Sequence, residues 1–94
     1  MDVFGRPDFV FTKDRLAVFV DGCFWHGCPR CFQMPRQNRH FWRTKIKRNR
    51  IRDRLVTRTL KERGWKVLRT WECVLQRRPA SAVGRIRKVL DEAV

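Results

Sequence analysis

Four cysteines constrain the fold of this chain more than any other feature of its sequence. Cys23, Cys28 and Cys31 follow a C-x4-C-x2-C spacing, and Cys73 lies 42 positions after the third of them. Glycine, proline and arginine surround the first three, which is not typical of a hydrophobic core. Four thiolates complete a tetrahedral zinc site and leave no position for a catalytic water. The spacing therefore predicts a structural Zn²⁺ site, with four small core residues as the alternative.

Short length and strong positive charge are the next constraints. The 94 residues carry 23 Lys and Arg against 9 Asp and Glu, which gives a net charge of +14. We expect a single domain, 1–94, that buries only about 60–65 % of its unfolded surface, so a structural metal would add needed stability. The charge favours a polyanionic partner, and we expect nucleic acid rather than an acidic membrane surface.

Apolar patterning excludes a membrane span and a secretory signal. No run approaches the roughly 20 apolar residues that a span requires, and the N-terminus has no basic-then-apolar pattern. We therefore expect no membrane partner and a cytoplasmic location, where thiols stay reduced and clustered cysteines favour metal over disulfides.

Two apolar runs beside a polar turn predict a β-hairpin. Residues 7–11 and 16–20 are the apolar runs, and residues 12–15 are polar. The second run is unbroken, which is typical of a strand buried on both faces. Gly22 is expected to end that strand, and Pro29 and Pro35 to keep the following stretch irregular.

A long amphipathic helix is predicted for residues 39–63. Asn38 is placed to cap its start, and Gly64 is placed to end it. Steps of four and three residues define one stripe that includes two polar side chains. The residues of this stripe are Trp42, Ile46, Asn49, Asp53, Val56 and Leu60.

A third strand and a last helix complete the predicted architecture. Residues 65–71 have the pattern of a strand, and Ser81 is placed to cap the final helix. A helical connection between strands favours a parallel pair, so the fold class is α/β, a small mixed β-sheet flanked by helices. The side chains expected to face inward from the last helix are Val83, Ile86, Val89 and Leu90.

Asp8 is a candidate metal ligand in the first strand. A lone carboxylate in an apolar strand is costly unless it is paired or bound to a metal. It could hold Mg²⁺ through oxygen, with water and phosphate completing the coordination shell. The alternative is an acid at the strand edge that pairs with Arg6 or Arg15.

His26 is a candidate general base, because an imidazole near neutral pH can deprotonate a water. Asp53, on the inward stripe, could orient it, and Asn49 could brace Asp53 from one turn earlier. One alternative is that Asp53 pairs with a neighbouring arginine such as Arg50 or Arg54. Another is that His26 competes with the cysteines as a zinc ligand.

Three aromatic side chains are candidates for DNA contact. Phe24 and Trp25 lie in a glycine-bounded stretch, where two large rings are difficult to bury. They could stack on bases or wedge between base pairs. Packing over the zinc site is the alternative for both. Trp42 lies either in the core or against the same ligand.

Several sequence blocks occur in the same order as in a known family of DNA repair enzymes. Over residues 5–75 the chain resembles the very short patch repair DNA mismatch endonucleases. The combination of GCFWH with the late WEC is specific. The matching blocks are RPDF (6–9), FVDGCFWH (19–26), FW with Lys45 (41–45), NxxRD (49–53), GWKVL (64–68) and WEC (71–73).

This resemblance implies a restriction-endonuclease-like core that nicks one strand 5′ of the thymine in a T:G mismatch of double-stranded DNA. It implies catalytic Mg²⁺ at Asp8 and at the backbone carbonyl of Val20. It further implies that His26 activates water while Asp53 holds it. By the same resemblance, the zinc at the cysteines is structural, and the intercalating residues are Phe24, Trp25 and Trp42.

The chain also departs from the family pattern. Family members begin with a segment that includes a helix with an acidic residue near the metals, so this chain is expected to be N-terminally short. Asp21 stands where the family can have a histidine, and the zinc loop differs in length and ligand types. The alternatives are a zinc-stabilised basic module that binds DNA without cutting, and an RNA-binding protein. We expect a monomer in the bacterial cytoplasm, associated with the nucleoid and with repair-protein partners.

Overall fold

The computed structural model describes residues 4–92, and these residues form a small mixed sheet with helices on it. Residues 1–3 and 93–94 of the predicted domain lie outside the described part, so its boundaries stay a prediction. The elements in chain order are β1 (Phe9–Phe11), β2 (Leu16–Asp21), α1 (Cys23–His26), α2 (Arg39–Glu62), β3 (Lys66–Trp71), α3 (Glu72–Arg77) and α4 (Pro79–Glu92).

The sheet has the order β1-β2-β3, with β2 in the centre. β1 pairs antiparallel with β2, which confirms the predicted hairpin. β2 pairs parallel with β3, with Phe19 beside Arg69 and Val20 beside Thr70. Parallel neighbours need a long crossover, and α2 supplies it. The small mixed α/β sheet predicted from the sequence is therefore confirmed.

The core lies on both faces of β2. On one face, Ala17 and Phe19 form a buried cluster with Val56 and Leu60 of α2. On the other face Leu16 and Val18 are also buried, with α3 in contact with the strand. An unbroken apolar strand is expected where both faces are covered.

The long helix follows the predicted stripe closely. Every residue of the stripe is buried or half-buried, and α2 ends at Glu62, one residue before the predicted end. Gly64 has φ +88°, the left-handed conformation that a residue following a helix commonly adopts. Asn38 stands at the predicted N-cap position, but its φ is left-handed (+56°) and its side chain makes no capping hydrogen bond, so the predicted side-chain cap is wrong.

The structure corrects the prediction for the last helix. α4 begins at Pro79, so Ser81 lies within its first turn and does not cap it. Proline suits the first turn of a helix because its missing N–H is not needed there. Ala82 is buried and Val83 is 50 % exposed, so the predicted inward position of Val83 is wrong. Ile86, Val89 and Leu90 are half-buried.

The short helices α1 and α3 were not predicted. The α1 residues belonged to a stretch expected to be irregular, and no helix was expected at residues 72–77. Among residues 4–92, no helix combines the length and apolar character that crossing a membrane requires.

Candidate active site and metal centre

The one-turn helix α1 positions the first candidate residues directly after the central strand. Gly27, with φ +67°, ends this helix and its N–H bonds to the Phe24 carbonyl. Arg50 of α2 then fixes the end of α1. Its Nε donates to the His26 carbonyl at 3.0 Å and its Nη2 donates to the Gly27 carbonyl at 2.6 Å. Two carbonyls left free by the short helix are therefore satisfied by one guanidinium.

His26 and Asp53 lie in direct contact. The Nδ1 atom of His26 hydrogen-bonds with Oδ2 of Asp53, and each side chain is about a quarter exposed. Because the carboxylate accepts, Nδ1 carries the hydrogen and Nε2 is the nitrogen available to take a proton. Asp53 therefore does not pair with Arg50 or Arg54, the alternative that the sequence left open.

Asp8 contacts the central strand rather than an arginine. Its Oδ2 accepts a hydrogen bond from the Val20 N–H at 2.6 Å, and the described residues contain no ion pair between Asp8 and Arg6 or Arg15. In an extended strand the N–H and C=O of one residue point to the same side. The Val20 carbonyl therefore faces the same edge as the Asp8 carboxylate, and together they offer the oxygen ligands that Mg²⁺ prefers.

One cleft of about 640 Å³ brings these candidates together. Asp8, Val20, His26 and Asp53 all line it. The residues predicted to act on a phosphodiester thus share one cavity, although they come from β2, α1, α2 and the segment before β1.

Asn49 occupies a different position from the predicted one. Its Nδ2 donates to the Trp25 carbonyl at 2.8 Å, so it supports α1 rather than Asp53. The contact between Asn49 and Asp53 that the sequence suggested is absent from the hydrogen bonds of residues 4–92.

Arg69 of β3 is a residue of the cleft that the sequence analysis missed. Its Nη1 donates to Asp21 Oδ1 at 2.8 Å, and its Nη2 donates to the Asp53 carbonyl at 3.2 Å. Burial raises the pKa of Asp21, while the positive charge of Arg69 and the nearby His26 oppose this effect. Nothing in the local sequence separates Arg69 from the other basic residues, because its role depends on the β2–β3 register.

The four cysteines converge in a second cluster, separate from the cleft residues. Their Sγ atoms all lie within 4.8 Å of one another, and those of Cys28 and Cys73 are 3.7 Å apart. Zinc–sulfur bonds of about 2.3 Å give a tetrahedron with sulfur–sulfur edges of about 3.8 Å, so the geometry fits zinc. Cys31 is exposed, which argues against four core residues. His26 belongs to a separate group with Asp21 and Asp53.

Local hydrogen bonds favour a thiolate at Cys28. Burial raises the pKa of its thiol, but backbone hydrogen bonds from Arg30 and Cys31, with further thiol contacts, outweigh burial and lower the pKa to about 7. Metal ligation requires the thiolate form. The Cys73 N–H also donates to the Cys23 sulfur at 3.4 Å.

The three predicted aromatic residues form one cluster at the surface. The Phe24 ring lies 5.4 Å from Trp25 and 5.1 Å from Trp42, centroid to centroid. Trp25 is 47 % exposed, so it is not packed away over the cysteines. The neighbouring Phe41 is 55 % exposed and stacks edge-on against Trp42, and the sequence analysis did not propose it. Lys45 lies over the Trp25 ring at 5.5 Å.

Comparisons with known proteins find several similar sequences. A family model described as DNA mismatch endonuclease Vsr matches residues 1–32. The Type II nicking enzyme V.NaeI of Lentzea aerocolonigenes is 51 % identical over 67 residues, covering 71 % of this chain and 40 % of that protein. The Type II nicking enzyme V.XorIIP of Xanthomonas oryzae is 42 % identical over 92 residues, covering 96 % and 66 %.

DNA mismatch endonuclease Vsr of Escherichia coli is also 42 % identical over 92 residues, covering 96 % of this chain and 53 % of that protein. The chain thus spans 40–66 % of the length of these three relatives.

Proposed function

Because the chain belongs to the Vsr family of DNA mismatch endonucleases, we propose that it is a DNA-nicking endonuclease. Its substrate would be double-stranded DNA, cut in one strand 5′ of the thymine at a T:G mismatch during very short patch repair. The observation that carries the proposal is the contact between His26 and Asp53 in the cleft that Asp8 also lines.

The proposed chemistry is hydrolysis of one phosphodiester. His26 Nε2 takes a proton from a water, while Asp53 holds the ring through Nδ1. The water oxygen bonds to phosphorus, the bond from phosphorus to the leaving sugar oxygen breaks, and that oxygen takes up a proton from solvent water. Asp8 and the Val20 carbonyl would hold Mg²⁺, which offsets the negative charge that develops on the phosphate.

The proposed DNA contacts combine positive charge with exposed rings. The net charge of +14 favours a phosphate backbone. The cluster of Phe24, Trp25 and Trp42 would insert beside the mismatch and separate the stacked bases, as apolar wedges do in other DNA-binding proteins. Zinc at the four thiols would be structural, and the mixed sheet would form part of a restriction-endonuclease-like core.

The relatives come from bacteria, which supports the proposal that the protein works in the bacterial cytoplasm at the nucleoid. We propose that it acts as a monomer and that other repair proteins complete the repair.

A second candidate function is a zinc-stabilised basic module that binds DNA without cutting it. The observations that support it are the net charge of +14 and the four clustered thiols, neither of which involves the residues of the cleft. A role in RNA binding is supported by the net charge alone, and an RNA competitor in the DNA-binding assay would test it.

A nicking assay separates these candidates. One strand of a duplex with a single T:G mismatch would be end-labelled and incubated with Mg²⁺ beside a matched T:A duplex. A nick confined to the mismatched duplex and lost in Asp8→Ala would support the endonuclease. Binding of both duplexes without any nick would favour the non-cleaving module.

A further inference from the structure

We propose that Arg69 is a positioning residue for the His26–Asp53 pair, and that Asp21 is the counter-charge that holds Arg69 in place. This inference rests on the proposed function, because it concerns the same cleft. It goes beyond that function by assigning a role to two residues for which the sequence analysis gave none.

Three hydrogen bonds and one aromatic contact hold the Arg69 side chain in one orientation. It lies beside Phe19 in the parallel register, and its guanidinium carbon is 4.2 Å from the centre of that ring. Its Nε donates to the Thr57 hydroxyl at 2.8 Å, while its two terminal nitrogens reach Asp21 and Asp53. A side chain with all three nitrogens engaged by protein groups and 21 % exposure is poorly available to a DNA phosphate.

The two carboxylate oxygens of Asp53 face different partners. Oδ2 contacts His26, whereas Oδ1 lies 3.9 Å from Arg69 Nη1. The Asp53 backbone carbonyl also accepts from Arg69 Nη2. With one oxygen drawn towards Arg69 and the backbone fixed by the same guanidinium, rotation of the carboxylate is restricted. Arg69 therefore presents Oδ2 to the imidazole in the orientation that a general base requires.

Asp21 creates the need for a positive charge beside Asp53, and it also holds Arg69 in place. One ligand atom from each of Asp21, His26 and Asp53 lies within 4.8 Å of the others, so two carboxylates are close together. Without Arg69 these carboxylates would repel each other and Asp53 would turn away from His26. A planar guanidinium contacts both acids at once, which the single ammonium of lysine does not do.

The test uses single-turnover nicking of the T:G duplex at saturating protein, with DNA affinity measured separately. We expect Arg69→Met to lower the rate constant about 100-fold, in the range for loss of general-base function, while the DNA dissociation constant stays within a few fold. The nicking rate constant of Arg69→Lys should be no more than a tenth of the wild-type value. Arg87→Met removes an equal charge at an exposed position of α4 and should leave the rate unchanged.

A double variant separates positioning from general loss of structure. Because Asn at position 21 no longer repels Asp53, Arg69→Met combined with Asp21→Asn should nick faster than Arg69→Met alone. If the double variant nicks no faster than Arg69→Met, the proposed coupling is overturned. If Arg69→Met does not fold by circular dichroism, the comparison moves to Arg69→Lys with and without Asp21→Asn, where the same result decides.

A spectroscopic measurement tests the inference without any nicking. The His26 Nδ1–H should give the strongly downfield proton resonance typical of an imidazole hydrogen-bonded to a carboxylate. We expect Arg69→Met to lose it and Arg87→Met to keep it. Persistence of the resonance in folded Arg69→Met would refute the positioning role. If the wild-type chain shows the resonance but never nicks DNA, the proposed function fails. The presence or absence of the resonance in Arg69→Met still decides this inference.

Discussion

Asp8, the residue just before β1, is joined to Val20 of the neighbouring strand β2 by a hydrogen bond. The carboxylate accepts from the N–H of the central strand, so one of its oxygens is fixed while the other remains available at the cleft. An asparagine at this position can keep the hydrogen bond but loses the negative charge. Position 8 therefore allows the structural role of the carboxylate to be separated from its proposed metal-binding role.

We expect Asp8→Asn to abolish nicking while leaving the melting temperature and the DNA affinity nearly unchanged. Loss of the charged oxygen removes the proposed main ligand for Mg²⁺. The rate should fall about 1,000-fold or more, measured with saturating Mg²⁺. Asp91→Asn, an exposed acid on α4, is the matched control. An equal loss of DNA binding in Asp8→Asn would contradict the catalytic assignment.

His26→Ala and Asp53→Asn should each lower the single-turnover rate by about 100- to 10,000-fold, the usual contribution of a positioned general base. Because the two residues act through one hydrogen bond, the double variant should be hardly slower than His26→Ala. Multiplication of the two single effects would show that they act independently and would argue against the pair.

Cys73→Ser should release zinc and destabilise the fold. This cysteine supplies the one thiol that comes from outside the C-x4-C-x2-C segment, and its sulfur lies 3.7 Å from that of Cys28. We expect the free energy of unfolding to fall by about 3 kcal/mol or more, because metal binding contributes directly to folding in small domains. Metal analysis of the purified variant checks this, and unchanged zinc content would refute the four-cysteine site.

Gly27→Ala and Gly64→Ala form a matched pair, since both glycines have positive φ. A Cβ at position 27 would lie 2.7 Å from Arg50 Nη2, whereas the nearest atom at position 64 would be 3.7 Å away. Both variants carry the left-handed strain of about 1 kcal/mol. Only Gly27→Ala also disturbs the clamp on α1, so it should lose more thermal stability and most of the nicking rate.

Trp25→Ala should weaken binding to the T:G duplex by about 1–3 kcal/mol, the usual contribution of an aromatic ring stacked on a base. The matched T:A duplex should lose less affinity, because its stacked pairs resist the wedge. Val83→Ala, an exposed apolar side chain on α4, serves as control. Equal weakening on both duplexes would show that Trp25 contributes general affinity rather than mismatch recognition.

The larger elements could be predicted because each has a strong periodic signal. The unbroken run of β2 and the stripe of α2 depend only on which residues are apolar, and the structure has both close to the expected bounds. The contact of His26 with Asp53 was one of the predicted pairings, because an acid on an inward stripe needs a polar partner, but the stripe alone does not say which partner. The short helices α1 and α3 have only four and six residues, too few to show a period.

The arginine contacts could not be predicted. Arg50 and Arg69 are two of 23 basic residues, and neither has a neighbour in sequence that marks it. Arg69 reaches Asp21 only because β2 and β3 pair in parallel with one particular register. Asn49 likewise has the predicted position on its helix, but the α1 carbonyl that it contacts belongs to a helix the sequence did not reveal.

If zinc stays bound to the denatured chain, Cys73 would restrict that chain as well. A metal on Cys31 and Cys73 joins two points 42 positions apart, and the resulting ring of chain contains all of α2 and β3. In the chain-entropy model, a cross-link of this span lowers the conformational freedom of the denatured ensemble by the equivalent of about 4 kcal/mol. Refolding of the parallel β2–β3 pair, which requires contact between distant segments, would then start from ends that are already tethered.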